Sequence, residues 1–271
     1  MPHSRGHLNP GDAEVTFDRF DLGLDRLVRH VWVVRWDIPA GEVRPQRVLT
    51  YPTHNIVIDP DDAALYGPSP AVQTRLLRGR SWAVGVLLRP AAAGILTVTP
   101  PRLLTGGRET LTGTPSAAIA EVMTSAEDRS GARAGLRIVL GDWLAPLESR
   151  IDPAGLLVNE ICRIAEERDD VVRVDQLADL VGLSPRTLVR LTRTRIGVTP
   201  KWLIECRRLQ HAATTLWSEP STDLAALAAD LGYADQAHFT RRYHEVLGET
   251  PEQTRKAARS DGRRVGRVGP D

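Results

Sequence analysis

Residues 177–200 read LADLVGLSPRTLVRLTRTRIGVTP, and residues 227–251 read LAADLGYADQAHFTRRYHEVLGETP. Leu177, Ala178 and Gly182 recur 50 residues later as Leu227, Ala228 and Gly232. After a one-residue insertion, Leu188, Ile196, Gly197, Thr199 and Pro200 recur as Phe239, Leu247, Gly248, Thr250 and Pro251. Matches held in register across such a span mark two copies of one supersecondary unit.

In the first copy Val174, Leu177, Ala178 and Val181 fall at i, i+3, i+4 and i+7, one apolar helical face. Gly182 supplies the left-handed turn that ends such a helix, Ser184 is a good N-cap, and Pro185 suits the first helical position. The spacing predicts helix, tight turn, helix. On the second helix, expected over 184–196, Arg186, Val189, Arg190 and Arg193 share one arc, while Leu188 and Leu191 face the other way. With no acidic residue between Ser184 and Ile196, the arc is a cationic stripe. A helix fits the major groove, where arginine bonds guanine O6 and N7 in a bidentate way and reaches phosphates. A solvated charged face explains such a stripe alone; its place after the turn of a helix-turn-helix favours DNA.

The second copy builds its first helix from Leu224, Leu227, Ala228 and Leu231, turns at Gly232 and caps its second helix with Asp235. That helix buries Phe239, Tyr243, Val246 and Leu247 and exposes Ala237, His238 and Arg241, with Arg242 at the edge and Gln236 in the first turn. His238 and His244 are six apart, poor spacing for a helical metal site. Between the copies, residues 200–217 form one predicted helix of about 27 Å, which sets two reading helices near one duplex turn apart, roughly 34 Å.

Charge localises the interface. The chain of 271 residues has net charge +1, and only Lys201 and Lys256 of its 35 basic residues are lysines. From Ala154 to Ala258 there are 14 basic and 15 acidic residues, so a nonspecific polycation is excluded and a focused interface is required.

Residues 17–101 read differently: short runs such as Val31–Trp36, Val48–Tyr51, Ile56–Ile58, Ala83–Leu88 and Ile95–Val98 are separated by Pro, Gly and Asp. They predict a small antiparallel barrel or sandwich. Helical periodicity follows from Thr114, clearest in Leu136, Val139, Leu140, Trp143, Leu144 and Leu147. The expected fold is α+β and multidomain: a β-rich, barrel-like domain over 1–113, a helical linker with a dimer contact over 114–152, an all-α domain with two helix-turn-helix units over 153–258, and a disordered Gly/Arg tail over 259–271. Cys162 and Cys206 are too few and too far apart for a disulfide framework or a zinc site, and are expected as buried thiols. No apolar run reaches the length of a bilayer span, and MPHSRGHLNPGD lacks a signal h-region, so a cytoplasmic protein with no membrane partner is expected.

The residues of 174–255 closely resemble the paired helix-turn-helix domain of AraC/XylS-type transcriptional regulators, carried by LADLVGLSPRTLVRL, GVTPKWLIECRRLQHA and LAADLGYADQAHFTRRYHEVLGETP. HVWVVRWDIPAG, YPTHNIVID, LYGP and VGVLLRP resemble the β-rich domain of a subgroup of these regulators, an effector or partner module. The resemblance implies seven C-terminal helices of which the third and sixth read double-stranded DNA, Arg186, Thr187, Val189 and Arg190 facing one groove and Gln236, Ala237, His238 and Arg241 the next. It also implies RNA polymerase at target promoters, a small-molecule effector and a homodimer as partners. Thr192 stands where the family usually has a buried Phe, Thr254 where an aromatic is common, and Ala91 replaces the glycine that tends to follow Arg-Pro.

Only His30 and His54 lie in the β region, with no His-x-His pair, so no metal, no cofactor and no catalytic residue is expected. Trp32, Trp36 and Trp82 are available to stack on a ligand or to fill a core. Two functions compete: a sequence-specific regulator, or a small-molecule sensor or enzyme whose C-terminal module no longer binds DNA. Arginines on both reading faces favour the first.

Overall fold

The computed structural model describes residues 14–48, 51–69 and 72–265. Its N-terminal part holds β1 (Val15–Phe20), β2 (Val28–Asp37), β3 (Arg44–Val48), β4 (Asn55–Ile58), β5 (Ala63–Tyr66), β6 (Gln73–Leu77), β7 (Arg80–Leu88), α1 (Ala93–Leu96), α2 (Pro101–Leu104), β8 (Arg108–Thr110), α3 (Ser116–Ser125) and α4 (Arg129–Glu148). Six strands form one antiparallel sheet in the order β1-β2-β7-β4-β5-β8, and β3 pairs with β6 as a separate ribbon. Among the described residues the sheet does not close into a barrel, since β1 and β8 stand at its two ends.

Alternation along each strand divides the sheet into two faces. Val31, Val33, Ile56, Ile58, Trp82, Val84 and Val86 share a core with Ile119 and Met123 of α3 and Leu136, Leu140 and Leu144 of α4. The three leucines recur every four residues, so α4 lays one stripe along the sheet. Residues 114–148 are therefore part of the N-terminal core, where the sequence reading expected a linker. The apolar stripe announces a buried face without naming what covers it.

The C-terminal part has seven helices: α5 (Pro153–Glu167), α6 (Val174–Leu180), α7 (Pro185–Arg195), α8 (Pro200–Ser218), α9 (Leu224–Asp230), α10 (Gln236–Leu247) and α11 (Pro251–Val265). They enclose two cores. Val158, Ile161, Leu177, Leu188 and Ile196 fill the first, and Leu227, Phe239, Tyr243 and Leu247 the second. α8 belongs to both, giving Leu203 and Ile204 to the first and Leu209, Ala212 and Leu216 to the second. Its 19 residues span about 28 Å.

Cys162 and Cys206 are buried thiols, and burial pushes Cys206 up to about 12. α11 continues to Val265, and the Arg259 guanidinium donates to the Pro220 carbonyl at 3.1 Å. Helix thus replaces the first half of the expected disordered tail; residues 266–271 lie outside the described residues.

Candidate nucleic-acid interface and ligand cavity

The two helix-turn-helix units are built by the same local chemistry. Gly182 and Gly232 take φ of +67° and +70°, the left-handed turn that a side chain would strain. The Ser184 hydroxyl accepts from the Thr187 amide at 3.2 Å, and the Asp235 carboxylate accepts from the His238 amide at 2.7 Å, so both second helices start on a side-chain cap.

On α7, Leu188 and Thr192 are buried, Arg186, Arg190 and Arg193 are exposed, and Thr187 and Val189 are half-buried. None of the three arginines forms an ion pair among the described residues. Thr192, at the usual Phe position, satisfies its hydroxyl within the helix by donating to the Leu188 carbonyl at 3.1 Å. The helix ends on Arg193 and Arg195, and Arg195 reaches back to Asp152 at 2.6 Å. That contact and the Gly155 amide hold the Asp152 carboxyl below its ordinary value.

On α10, Gln236, Ala237 and Arg241 are exposed and His238 is half-buried, its ring edge-on to Tyr233. Gln236, Ala237, Thr240, Arg241, His244 and Thr250 line one shallow open depression. Thr240 and His244 thus join the face predicted from the sequence, at the i+4 and i+8 positions from Gln236 that helical periodicity provides. Arg242 turns away from it. Its guanidinium makes a two-bond clamp on Glu205 of α8, at 2.6 and 2.7 Å, and pairs with Glu245. Arg242 ties α10 to α8, so its expected place among DNA contacts is withdrawn. Thr254, at the other departing position, is buried between the Tyr243 hydroxyl at 2.8 Å and Glu249 at 2.6 Å.

Comparison with known proteins matches residues 177–257 to a helix-turn-helix domain family and residues 21–109 to a domain of unknown function, DUF6597. The XylDLEGF operon transcriptional activator 2 of Pseudomonas putida is 28% identical over 127 residues, covering 44% of this chain and 80% of that protein. That relative is a transcriptional activator, in keeping with the resemblance of residues 174–255 to AraC/XylS-type regulators. The bifunctional transcriptional activator/DNA repair enzyme Ada of Escherichia coli is 32% identical over 98 residues, 36% of this chain but 27% of Ada. The chain likewise spans only 29% of another XylDLEGF operon activator of P. putida. A solved probable AraC family regulator from Rhodopseudomonas palustris is 28% identical, covering 38% of this chain and 96% of its own, with a TM-score of 0.34.

The second face of the N-terminal sheet borders a cavity of about 500 Å³, roofed by the β3–β6 ribbon. His30, Trp32, Val34 and Trp36, alternate residues of β2, line it beside Asn55 and Val57 of β4. Gly85 of β7 makes room for Trp32: a Cβ there would lie 1.8 Å from the indole. The Trp32 indole N–H donates to Asn55 Oδ1 at 3.2 Å, and that of Trp36 to the Arg78 carbonyl at 3.1 Å. Of the three tryptophans singled out from sequence, Trp32 and Trp36 line the cavity and Trp82 fills the core. Burial, then the neighbouring Arg19, Arg29 and Arg89, push His30 down to about 3, and it stays neutral. His54 is fully buried away from the cavity lining, and burial lowers it to about 4. Among the described residues no three His, Cys, Asp or Glu side chains group as metal ligands, and no helix is long and apolar enough to cross a membrane.

Proposed function

We propose that the chain is a sequence-specific transcriptional regulator that places α7 and α10 in two successive major grooves of one DNA duplex, and that its N-terminal domain makes it effector-responsive. The carrying observation is the pair of equivalent, capped helices on one chain, the first exposing Arg186, Arg190 and Arg193 without ion-pair partners among the described residues. Arg186, Thr187, Val189, Arg190 and Arg193 read or anchor the first block, and Gln236, Ala237, His238 and Arg241 the second. The protein acts in the cytoplasm as a regulator without catalytic activity, with RNA polymerase and a second copy of the chain as protein partners. A module that had left DNA would need no arginines on both reading faces, which disfavours the alternative.

Selection of bound sites from random-sequence DNA with the full chain tests this reading. The expected site has two dissimilar blocks about 10 to 11 base pairs apart. Inserting five pairs between them turns the blocks to opposite faces and should reduce affinity at least about a hundredfold, since one block is lost. Unchanged affinity would show that only one unit engages DNA; no selected site at all would remove the regulator reading.

A further inference from the structure

We propose that the N-terminal domain supplies a DNA contact of its own: Arg102 of α2 bonds a backbone phosphate beside the block read by α7. This inference rests on the regulator reading above and extends its interface from the C-terminal helices onto the first domain.

The cationic stripe of α7 leads to α2. Arg186, Arg190 and Arg193 fall at i, i+4 and i+7, and Gly197 continues the row at i+11, its amide still donating to the Arg193 carbonyl at 3.1 Å. Against Gly197 lies α2. A Cβ on that glycine would stand 2.6 Å from the Pro101 carbonyl, and the Thr105 hydroxyl donates to the Gly197 carbonyl at 3.2 Å. Around the single turn of α2, Pro101 and Thr105 therefore share the side that meets α7. Leu104, buried in the core of the N-terminal domain, takes one flank of that side. Arg102 takes the other, exposed and without an ion pair among the described residues.

A helix in the major groove lies between two walls of phosphate, so a side chain that continues its exposed row past its end meets a wall and not the base edges. A guanidinium free of carboxylate partners is the group such a wall selects. The segment that carries Arg102 is stiff. The Thr97 hydroxyl donates to Glu109 at 2.7 Å and accepts from the Thr99 amide at 2.9 Å, Pro100 and Pro101 follow, and the Leu103 amide donates to the Pro100 carbonyl at 2.8 Å. Little chain freedom is lost when Arg102 docks. The second unit ends differently: its equivalent glycine, Gly248, meets the apolar Val72, and Arg75, the first arginine to follow, is stacked on the Tyr66 ring at 4.7 Å. The cationic extension therefore belongs to the first unit, and lengthens the footprint around its block alone.

The test measures binding of the full chain to the selected two-block site across a salt series. Arg102→Gln removes one phosphate contact, so the slope of log affinity against log salt should fall by about 0.9, and the ratio of native to variant affinity should widen about fivefold between roughly 0.3 M and roughly 0.05 M salt. Random DNA should lose affinity in the same proportion, since a phosphate carries no sequence. Arg102→Lys keeps the charge and should restore the slope. Arg129→Gln removes the same charge from an exposed position on α4, whose buried stripe packs on the sheet, and should leave the slope unchanged. All three variants should melt with the native chain, because the substituted side chains are exposed. Ethylation interference on the native chain should mark phosphates flanking the first block, and Arg102→Gln should lose those marks while the second block keeps its own. An unchanged slope for Arg102→Gln, or an equal fall for Arg129→Gln, overturns the inference. So does tighter binding by Arg102→Gln, which would show that α2 obstructs the groove. Each of these outcomes leaves the regulator reading standing, whereas a native chain that selects no DNA site removes both.

Discussion

The two helix-turn-helix units share a scaffold and differ in what they do with it. Leu188 and Phe239 occupy equivalent positions, as do Ser184 and Asp235, and each second helix follows a left-handed glycine turn. The first unit has an aliphatic core with a self-satisfied Thr192 and sends three arginines outward. The second has a core of Tyr233, Phe239 and Tyr243 in ring-to-ring contact, and spends Arg242 on Glu205 and Glu245. Repetition thus preserves the elements that shape the turn and leaves the outer faces free to diverge. On the proposed reading the first unit would discriminate bases and the second would hold a fixed position on the duplex.

The largest expected effects break the comparison at its cores. Phe239→Ala should cost about 3–5 kcal/mol and Leu188→Ala about 2–5 kcal/mol in chemical denaturation, because each side chain is fully buried. Since the two cores are separate clusters bridged by α8, hydrogen exchange should show Leu188→Ala loosening α6 and α7 while α10 keeps its protection, and Phe239→Ala doing the reverse. Loss of protection in both units from either substitution would mean one cooperative core, and the contrast between units would concern only their surfaces.

A smaller effect separates the arginines. Arg190→Ala should lose about 1–3 kcal/mol of preference for the selected site over random DNA, with thermal stability nearly unchanged, because the exposed side chain makes no ion pair among the described residues. Arg242→Ala should do the opposite, lowering the melting temperature and weakening specific and random DNA in equal proportion. Glu205, only 14% exposed, would lose its clamp and stand largely desolvated without its cation. Specificity lost at Arg242, or none lost at Arg190, would reverse the roles given to these residues.

Why the sequence reveals one of these arginines and conceals the other is a matter of range. Caps, glycine turns and 3.6-residue periodicity act within a few positions, so Gly182, Ser184 and Pro185 announce α7 and its outer face directly. Arg242 sits at the edge of α10's face, and its partner Glu205 is 37 residues away on α8. Nothing local to either residue signals the pair. The N-terminal domain shows the same limit. Both sets of alternating residues in β2 are largely apolar, Val31 and Val33 on one side, Trp32, Val34 and Trp36 on the other, so the pattern gives a strand with two covered faces. Which face meets α4 and which borders a cavity depends on where the β3–β6 ribbon and the helices pack. The charged lining residues Arg19 and Arg75 come from strands far apart in sequence, and only the folded sheet and ribbon bring them to one space.

The smallest effect sharpens the comparison at the caps. Ser184→Ala and Asp235→Ala should each cost about 0.5–2 kcal/mol of stability, with the larger loss at Asp235, whose bond is shorter and whose charge faces the positive end of the α10 dipole. Their effects on DNA should part company. That same carboxylate at the start of a reading helix repels approaching phosphate, whereas the serine hydroxyl does not. Asp235→Asn isolates the charge, because asparagine caps a helix about as well as aspartate. It should leave thermal stability within a few tenths of a kcal/mol and raise affinity for random DNA at low salt, the gain fading as salt screens the phosphates. Ser184→Ala should show no such gain. If Asp235→Asn leaves the salt dependence untouched, the start of α10 does not approach the backbone, and the second unit's part in binding shifts to Arg241 and the residues along the helix.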